Sequence, residues 1–489
     1  MKSYKIYIDG KWVNSSSKQI FKTYNPATNK LIAEFQEGTK KDVHKAIIAA
    51  EKAYKSWSKL PAPKRAQYLF TIANLLRKDK ERLAKILTQE MGKVLVEARG
   101  DIQEAIDIFE YMAGEGRRLF GHTTPSELSN KFCMTIRRPI GIIGIITPWN
   151  FPIALPAWKI APALICGNSI IFKPSSDTPL CAVELIKIIE KAGIPPGVIN
   201  LIPGPGKTVG TEIVKNPKIR GISFTGSNST GEWITKNSGI KRIGLELGGK
   251  NAIIVMEDAD LNLAIEGIIW GAFGTTGQRC TATSRVIVHT KVKRKLEKEL
   301  IKKVKKLKLG SGLNINTNIG PLINNSAIEK SKKYVRIGKS EGAKLIYGGS
   351  SPKIKGNFFK PTIFTNVKKH MRLAKEEIFG PILSIIPIKN INEAIEVANS
   401  VKYGLSSSIY TKNIKNAFKS INEIEAGITY INSSTIGSEV HLPFGGVKHT
   451  GNGTREAGIE GINEFSETKT VYIDYSDALQ KAQIDIYEK

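Results

Sequence analysis

Cysteine is scarce in this chain of 489 residues, which contains four cysteines and six histidines. Cys133, Cys166, Cys181 and Cys280 show no C-x-x-C spacing, and no histidine cluster lies beside them. This usage argues against a disulfide framework and against a zinc site. We therefore expect no metal, and a reducing, cytoplasmic setting.

Long hydrophobic runs are also missing. The first residues move straight into strand-like alternation, with no charged segment leading into an apolar one, so a secretory leader is not expected. The longest apolar candidate, residues 139–146, is short and interrupted by glycine. We therefore expect no association with a membrane.

Acidic residues are few relative to basic ones, 44 against 73, and the formal net charge is +29. Such a charge could indicate a surface that binds polyanions. The densest basic run, residues 291–308, instead predicts an amphipathic helix, because Leu296, Leu300, Val304 and Leu307 recur at helical spacing. Its lysines then lie on the solvated face, and no aromatic residues are interleaved with them, so we expect no nucleic-acid partner.

The hydrophobic pattern predicts an α/β protein. A hairpin at residues 4–13 turns at Asp9-Gly10, and helices follow at 42–57, 63–91 and 93–119. From residue 140 onward, apolar strands alternate with helices, which indicates a parallel, doubly wound sheet. A second α/β stretch begins near Gly249, and residues 464–475 predict an edge strand suited to pairing with another subunit.

Two glycine-rich segments could cradle a phosphate. Residues 203–210 match neither standard motif, because Leu201 replaces the first glycine of a Walker A loop and Val209 the last glycine of a G-x-G-x-x-G fingerprint. Residues 224–231 place Gly-Ser between a strand and a helix, where backbone N–H groups could face a pyrophosphate. A plain strand-to-helix turn is the alternative interpretation.

Two short segments carry potential reaction chemistry. Glu246 lies in residues 245–250 and is a candidate base, while Cys280 follows Gly277-Gln278-Arg279 and is a candidate nucleophile. Each lies beside glycines that permit close approach of a ligand. Taken alone, the two residues are better interpreted as a core thiol and a surface carboxylate.

Order and flanks give these segments more meaning. Together with residues 25–27, 147–152, 172–179, 224–227, 377–381 and 443–446, they resemble the aldehyde dehydrogenase superfamily along nearly the whole chain. The resemblance implies that family's fold, with a Rossmann-like cofactor domain, an α/β catalytic domain and a small β oligomerisation flap. It implies a cofactor domain at 1–118 and 140–248, a catalytic domain at 249–448 and a flap at 119–139 and 464–489.

The resemblance also implies the NAD(P)-dependent oxidation of a small-molecule aldehyde to an acid. Cys280 would form a thiohemiacetal and then a thioester, Asn150 would stabilise the oxyanion, and Glu246 would activate water. The implied cofactor residues are Ile146, Trp149, Lys173, Ser176, Gly206, Gly226, Ser227, Leu247, Glu377 and Phe379. The implied substrate residues are Leu155, Trp158, Arg279 and His441.

Two positions refine these expectations. Many NAD-preferring members carry a glutamate three residues after Lys173, where this chain has Ser176, which favours NADP over NAD. Arg279 is either a structural ion-pair partner or a cation for a carboxylate-bearing substrate. Residues 278–285 and 439–446 resemble 2,5-dioxovalerate (α-ketoglutarate semialdehyde) dehydrogenases.

Three alternative functions and the number of subunits in the assembly remain open at this point. The chain could be a general short-chain aldehyde dehydrogenase, or an enzyme that passes its thioester to coenzyme A, although such relatives generally lack the Glu246 equivalent. A non-enzymatic basic scaffold is the third. The family resemblance implies a homo-oligomer, either a dimer or a tetramer.

Overall fold

The computed structural model describes residues 2–484, and its first half combines a central sheet with covering helices. Up to residue 248 the strands are β1 (Ser3–Tyr4), β2 (Ile6–Ile8), β3 (Lys11–Val13), β4 (Ile20–Tyr24), β5 (Leu31–Gln36), β6 (Thr123–Pro125), β7 (Lys131–Pro139), β8 (Ile142–Ile146), β9 (Ser169–Lys173), β10 (Ile199–Leu201), β11 (Ile219–Thr225) and β12 (Arg242–Glu246). The helices are α1 (Lys40–Trp57), α2 (Ala62–Lys78), α3 (Lys80–Met91), α4 (Leu95–Glu115), α5 (Ala154–Cys166), α6 (Pro179–Lys191), α7 (Thr211–Lys215) and α8 (Asn228–Asn237).

The second half repeats the alternation of strands and helices. Its strands are β13 (Asn251–Val255), β14 (Thr283–His289), β15 (Lys344–Tyr347), β16 (Thr362–Thr365), β17 (Ile382–Ile388), β18 (Tyr403–Gly404), β19 (Ser406–Tyr410), β20 (Ile428–Ile431), β21 (Val447–Lys448) and β22 (Ser466–Asp474). Its helices are α9 (Leu261–Phe273), α10 (Thr290–Val304), α11 (Asn325–Ser340), α12 (Arg372–Lys375), α13 (Ile391–Asn399), α14 (Ile414–Glu423) and α15 (Gly458–Glu464).

The first large sheet has the strand order β12-β11-β8-β9-β10-β2-β3. Its first five strands are parallel, and β2 joins the far edge antiparallel. Every residue of β9 is buried, as expected for a parallel strand with helices on both faces. The carboxyl ends of β8, β9, β11 and β12 therefore meet at one edge, where an open α/β sheet binds its ligands.

The second large sheet has the order β15-β16-β17-β14-β13-β19-β20 and is parallel throughout except at β15. Its two faces are covered by separate apolar clusters, one built around α11 and α13, the other around α9 and α10. In α10 the predicted stripe is confirmed for Leu296, Leu300 and Val304, which are buried beneath an exposed lysine face, whereas Leu307 lies beyond the end of the helix and is only half-buried. The predicted α/β fold is thus confirmed.

A small antiparallel sheet stands apart from both, in the order β22-β7-β6. Strands β7 and β22 pair over nine residues, from Pro139 with Ser466 to Lys131 with Asp474. This sheet coincides with the predicted flap at 119–139 and 464–489, whose last five residues lie outside the described part. The oligomerisation role of this sheet, like the proposed roles of the other two units, remains a prediction.

Some predicted elements differ in detail. The single helix predicted at 63–91 is two helices, because the backbone leaves helical geometry at Asp79 (φ −104°, ψ 8°). Tyr4 belongs to a separate short strand that pairs with β5, not to the hairpin. Across residues 2–484, every helix is too short or too polar to cross a bilayer.

Candidate active site

Cys280 follows a strained turn between α9 and β14. Thr275 and Thr276 both have left-handed backbones, with φ of 50° and 58°, and Gly277 continues at 70°. Such conformations cost threonine of the order of 1–3 kcal/mol each and persist only where neighbours enforce them. The turn is therefore held in place by contacts from elsewhere in the chain.

Those contacts come from distant segments. The Glu97 carboxylate accepts hydrogen bonds from the Thr275 backbone N–H at 2.9 Å and from its hydroxyl at 3.1 Å. The Thr276 hydroxyl donates to the Gly320 carbonyl at 3.0 Å, and the Ile323 N–H donates to the Gln278 side chain at 2.9 Å. The position of Cys280 is thus fixed by α4 and by the segment before α11.

Glycines permit the close packing behind the nucleophile. A Cβ placed on Gly277 would lie 2.4 Å from the Gly380 carbonyl oxygen, and one on Gly249 would lie 2.7 Å from the Cys280 carbonyl oxygen. That Cys280 oxygen accepts a hydrogen bond from the Asn251 amide at 2.7 Å. The backbone of Cys280 is therefore enclosed on one side while its side chain faces a cavity.

This cavity of about 310 Å³ brings most predicted residues together. Its lining includes Cys280, Asn150, Trp149, Leu155, Gly226, Ser227, Leu247, Glu377 and Phe379. Asn150 is buried, and its amide donates to the Gln278 carbonyl at 3.1 Å, which leaves a second N–H available. An oxygen bound to carbon at the Cys280 sulfur would lie within the same cavity as that amide.

Glu377 and Phe379 form the opposite wall. The Gly249 N–H donates to Glu377 at 3.1 Å, and a Cβ on Gly248 would lie 2.3 Å from the same carboxylate. Phe379 has a left-handed backbone (φ 60°) and packs edge-to-face on Trp149, with ring centroids 5.5 Å apart. A strained backbone at a residue other than glycine is typical of positions that line a functional site.

A second cavity of about 640 Å³ continues from the first. Both are lined by Thr225, Gly226 and Ser227, so they form one elongated groove along the carboxyl edge of the first sheet. Its far part is lined by the predicted Ile146, Lys173, Ser176 and Gly206, together with the unpredicted Lys207 and Trp233.

The groove fits a dinucleotide. Ser227, which caps α8, lines the groove together with Ser229 and Thr230, so the positive end of this helix lies at the groove, where an anion is favoured. Lys173 is nearly buried, and burial lowers the pKa of its amine to about 8. A negatively charged or hydroxyl-rich ligand would form hydrogen bonds with the start of α8 and with the Lys173 amine.

Glu246 ends β12 directly behind this cavity. It is 3 % exposed, and neither carboxylate oxygen has a hydrogen-bond partner within residues 2–484. Burial raises the pKa of Glu246 well above its usual range, and the nearby charge of Glu456 raises it further. Removal from bulk water, followed by the charges of Glu246 and Glu377, raises the pKa of the Cys280 thiol to about 12.

Three predicted substrate residues lie outside the cavity lining. Trp158 is buried and packs edge-to-face on Phe444, with ring centroids 5.2 Å apart. Arg279 donates to the Thr275 hydroxyl at 2.9 Å and lies 3.6 Å from Glu97, which is the ion-pair interpretation. His441 is exposed and lies 3.6 Å from Glu439.

The profile of the aldehyde dehydrogenase family matches residues 12–471. This chain belongs to the aldehyde dehydrogenase family. It is 40 % identical to an α-ketoglutaric semialdehyde dehydrogenase of Bacillus subtilis over 96 % of this chain and 98 % of that one. It is 43 % identical to retinaldehyde dehydrogenase 3 of Mus musculus over 96 % and 92 % of the two chains.

A solved structure gives the same result. A betaine aldehyde dehydrogenase from Staphylococcus aureus in complex with NAD⁺ superposes with a TM-score of 0.95 at 36 % identity, covering 97 % of this chain and 96 % of that one. This protein is thus an NAD(P)-dependent aldehyde dehydrogenase. Relatives named for different aldehydes share similar identities with this chain.

Sequence reasoning missed several residues that support the site of this aldehyde dehydrogenase. Glu97 and Asp101 stand one turn apart on α4, and Asp101 pairs with the fully buried Lys93 at 2.9 Å. Behind Glu246, the buried Lys159 pairs with Glu456. The available signal was a pair of acids on the apolar face of a predicted helix, where carboxylates are rare unless they have a partner.

Proposed function

We propose that Cys280, Asn150 and Glu246 divide the chemistry of aldehyde oxidation among them. The observation that carries this proposal is the single cavity shared by Cys280 and the Asn150 amide, which continues into the dinucleotide-shaped groove. The thiol of the free enzyme is protonated at neutral pH. A cofactor bound in the groove supplies the hydride acceptor, and its cationic ring favours the thiolate.

The remaining steps belong to the side chains. The Cys280 thiol first gives its proton to solvent. The thiolate then attacks the aldehyde carbon, and the Asn150 amide with the Cys280 N–H stabilises the oxyanion. Loss of hydride leaves a thioester on Cys280. Glu246 then takes a proton from water, the hydroxide attacks the thioester, and the carboxylic acid leaves as the thiolate returns. A raised pKa makes the ionised Glu246 carboxylate a stronger proton acceptor.

The division into units follows the three sheets. We propose the first sheet with its helices as the cofactor domain, the second as the catalytic domain, and the β22-β7-β6 sheet as the surface that joins copies of the chain. The last assignment is supported by β22, an edge strand whose Tyr472 and Ile473 are exposed. Cysteine usage supports a cytoplasmic setting.

The enzyme is proposed to accept NADP at least as well as NAD. Ser176, Lys173 and Lys207 all line the outer part of the groove, so a hydroxyl and two amines are available to a 2′-phosphate. Asp177 is the nearest carboxylate in that lining, and it accepts a hydrogen bond from Asn324 at 3.2 Å.

Replacing Ser176 with Glu is expected to shift preference toward NAD by about tenfold or more, since a carboxylate repels the phosphate by roughly 1–3 kcal/mol. The measurement is kcat/KM for both cofactors in wild type and variant. Ser175→Glu, at the neighbouring position of the same lining, is the matched control. A strong NAD preference in the wild type would contradict the proposal.

The substrate is proposed to carry a carboxylate remote from the aldehyde, with 2,5-dioxovalerate as the leading candidate. Relatives named α-ketoglutaric semialdehyde and 2,5-dioxopentanoate dehydrogenase support it, the second from Saccharolobus solfataricus at 40 % identity. Arg279 would add a physical reason only after leaving Glu97, which lies 3.6 Å from its guanidinium. Its guanidinium lies over the ring of Phe151, the residue after Asn150, 5.4 Å from the ring centroid.

We expect the semialdehyde to exceed a neutral aldehyde of equal length by roughly tenfold in kcat/KM, and Arg279→Met to remove that gain. Methionine keeps an unbranched apolar stem without the charge, and Glu97 keeps its bonds to Thr275. Equal values for both aldehydes in the wild type would leave a general aldehyde dehydrogenase. A gain that survives Arg279→Met would assign the carboxylate to another residue.

A further inference from the structure

A group of buried charged side chains lies behind Glu246, and we call it the glutamate cluster: Glu246, Glu456, Glu464 and Lys159. Lys159 is fully buried on α5, pairs with Glu456, and donates to the Ser223 hydroxyl at 3.0 Å. Glu464 is 5 % exposed at the end of α15. The Ser223 hydroxyl lies close enough to lower its pKa, but neither carboxylate oxygen has a partner in hydrogen-bond geometry within residues 2–484. Glu464 is therefore a buried carboxylate that the local packing does not explain.

The position of Glu464 relative to Glu246 is set by one strand. A Cβ placed on Gly244 would lie 2.0 Å from a Glu464 oxygen, so the Glu464 carboxylate occupies the side-chain space that residue 244 lacks. Residues 244 and 246 lie on the same face of β12, roughly 7 Å apart along the strand. Ser223, the partner of Lys159, is the register neighbour of Gly244 on β11. Glu464 and Glu246 thus share one face and one ammonium group.

The charges of this cluster do not balance. Three carboxylates face a single ammonium, and the flanking cations are Arg455 toward Glu246 and Arg242 toward Glu464. Unpaired charges are costly to bury, so carboxylates in such a group retain protons and titrate jointly. Burial and the charge of Glu456 raise the pKa of Glu464 to about 7.

We propose that Glu464 is a positioning residue that sets the pH range over which Glu246 acts as the base. This proposal rests on the proposed role of Glu246 in deacylation. Once ionised, Glu464 repels charge on Glu246 across the shared face of β12 and delays its ionisation. Removing the Glu464 charge therefore makes Glu246 an effective base at lower pH.

The test is the Glu464→Gln variant, which keeps shape and removes the charge. Hydrolysis of the Cys280 thioester is followed in single turnovers between about pH 5 and pH 9. The acidic limb of the rate profile is expected to move to lower pH by roughly half a unit or more. Glu460→Gln, on the same helix and partly exposed, is the control and is expected to leave the limb in place.

A merely structural role would lower the rate at every pH without moving the limb, and that result would overturn the proposal. Glu246→Gln separates the two hypotheses. If it leaves thioester hydrolysis intact, the role of Glu246 fails. If it blocks hydrolysis while Glu464→Gln leaves the limb unmoved, the present inference alone fails.

Thermal unfolding supplies a readout independent of activity. A carboxyl whose pKa rises from 4.5 to about 7 on folding stabilises the fold below pH 4.5, and this contribution is lost as pH rises through 7. The Glu464→Gln variant has no carboxyl at this position, so it does not lose this stabilisation as pH rises. The Tm of the variant relative to wild type is therefore expected to increase from pH 5 to pH 8, and an unchanged difference would show that Glu464 does not titrate in this range.

Discussion

The Cys280→Ala variant is expected to lose aldehyde oxidation by at least about a thousandfold, because no covalent intermediate can form. The fold is expected to survive, since the contact that holds residue 280 is made by its backbone carbonyl to Asn251. The measurement is the steady-state rate of cofactor reduction. The thermal unfolding temperature confirms that the variant is folded.

The other three cysteines are the matched controls. Cys133, Cys166 and Cys181 are buried, and none of them lines either part of the groove, so none can reach an aldehyde bound there. Alanine at each of them is expected to retain activity in the folded enzyme. Turnover by Cys280→Ala near the wild-type rate would end the thiolate mechanism.

The second large effect is expected from Glu246→Gln, which should slow thioester hydrolysis by roughly 10²–10⁴-fold. Hydride transfer precedes the step that needs the base, so a rapid initial burst of reduced cofactor should survive. Glutamine is nearly isosteric, and Glu246 makes no side-chain hydrogen bond within the described residues that it could lose. Stopped-flow absorbance separates the burst from the steady state.

Equal loss of the burst and of the steady-state rate would move Glu246 to an earlier step, such as ionisation of the Cys280 thiol. Transfer of the thioester to coenzyme A in place of water would instead support the acylating alternative. Gln67→Glu lies on the distant helix α2 and serves as a control for effects of preparing a variant protein.

Much of the fold could be predicted because local patterns carry it. Strand β8 (Ile142–Ile146) opens the alternation that was predicted from residue 140 onward, because a short apolar run bounded by glycine and proline is typical of a buried parallel strand. The break at Asp79 was missed because the apolar spacing of α2 passes almost unchanged into α3. Periodicity alone cannot reveal such a break.

The site could be predicted only as far as its motifs extend. The residues gathered in the cavity come from short segments with glycines that a linear motif preserves. The orientation of Arg279 depends on Glu97, 182 positions earlier in the chain, and nothing near residue 279 indicates it. The role of Glu464 could not be predicted for the same reason, because its burial depends on Gly244 having no side chain.

The hydrogen bonds from the turn before Cys280 to Glu97 also bear on whether the two halves of the chain can be separated. Glu97 belongs to the half of the chain built around the first sheet, whereas the turn belongs to the second. An excised segment 249–448 would contain the nucleophile and all seven strands of the second sheet, yet its left-handed Thr275 would lack the acceptor that compensates its strain. The half that carries Cys280 therefore cannot be transferred by itself. Fusing it to another cofactor-binding unit would require that unit to supply an equivalent carboxylate.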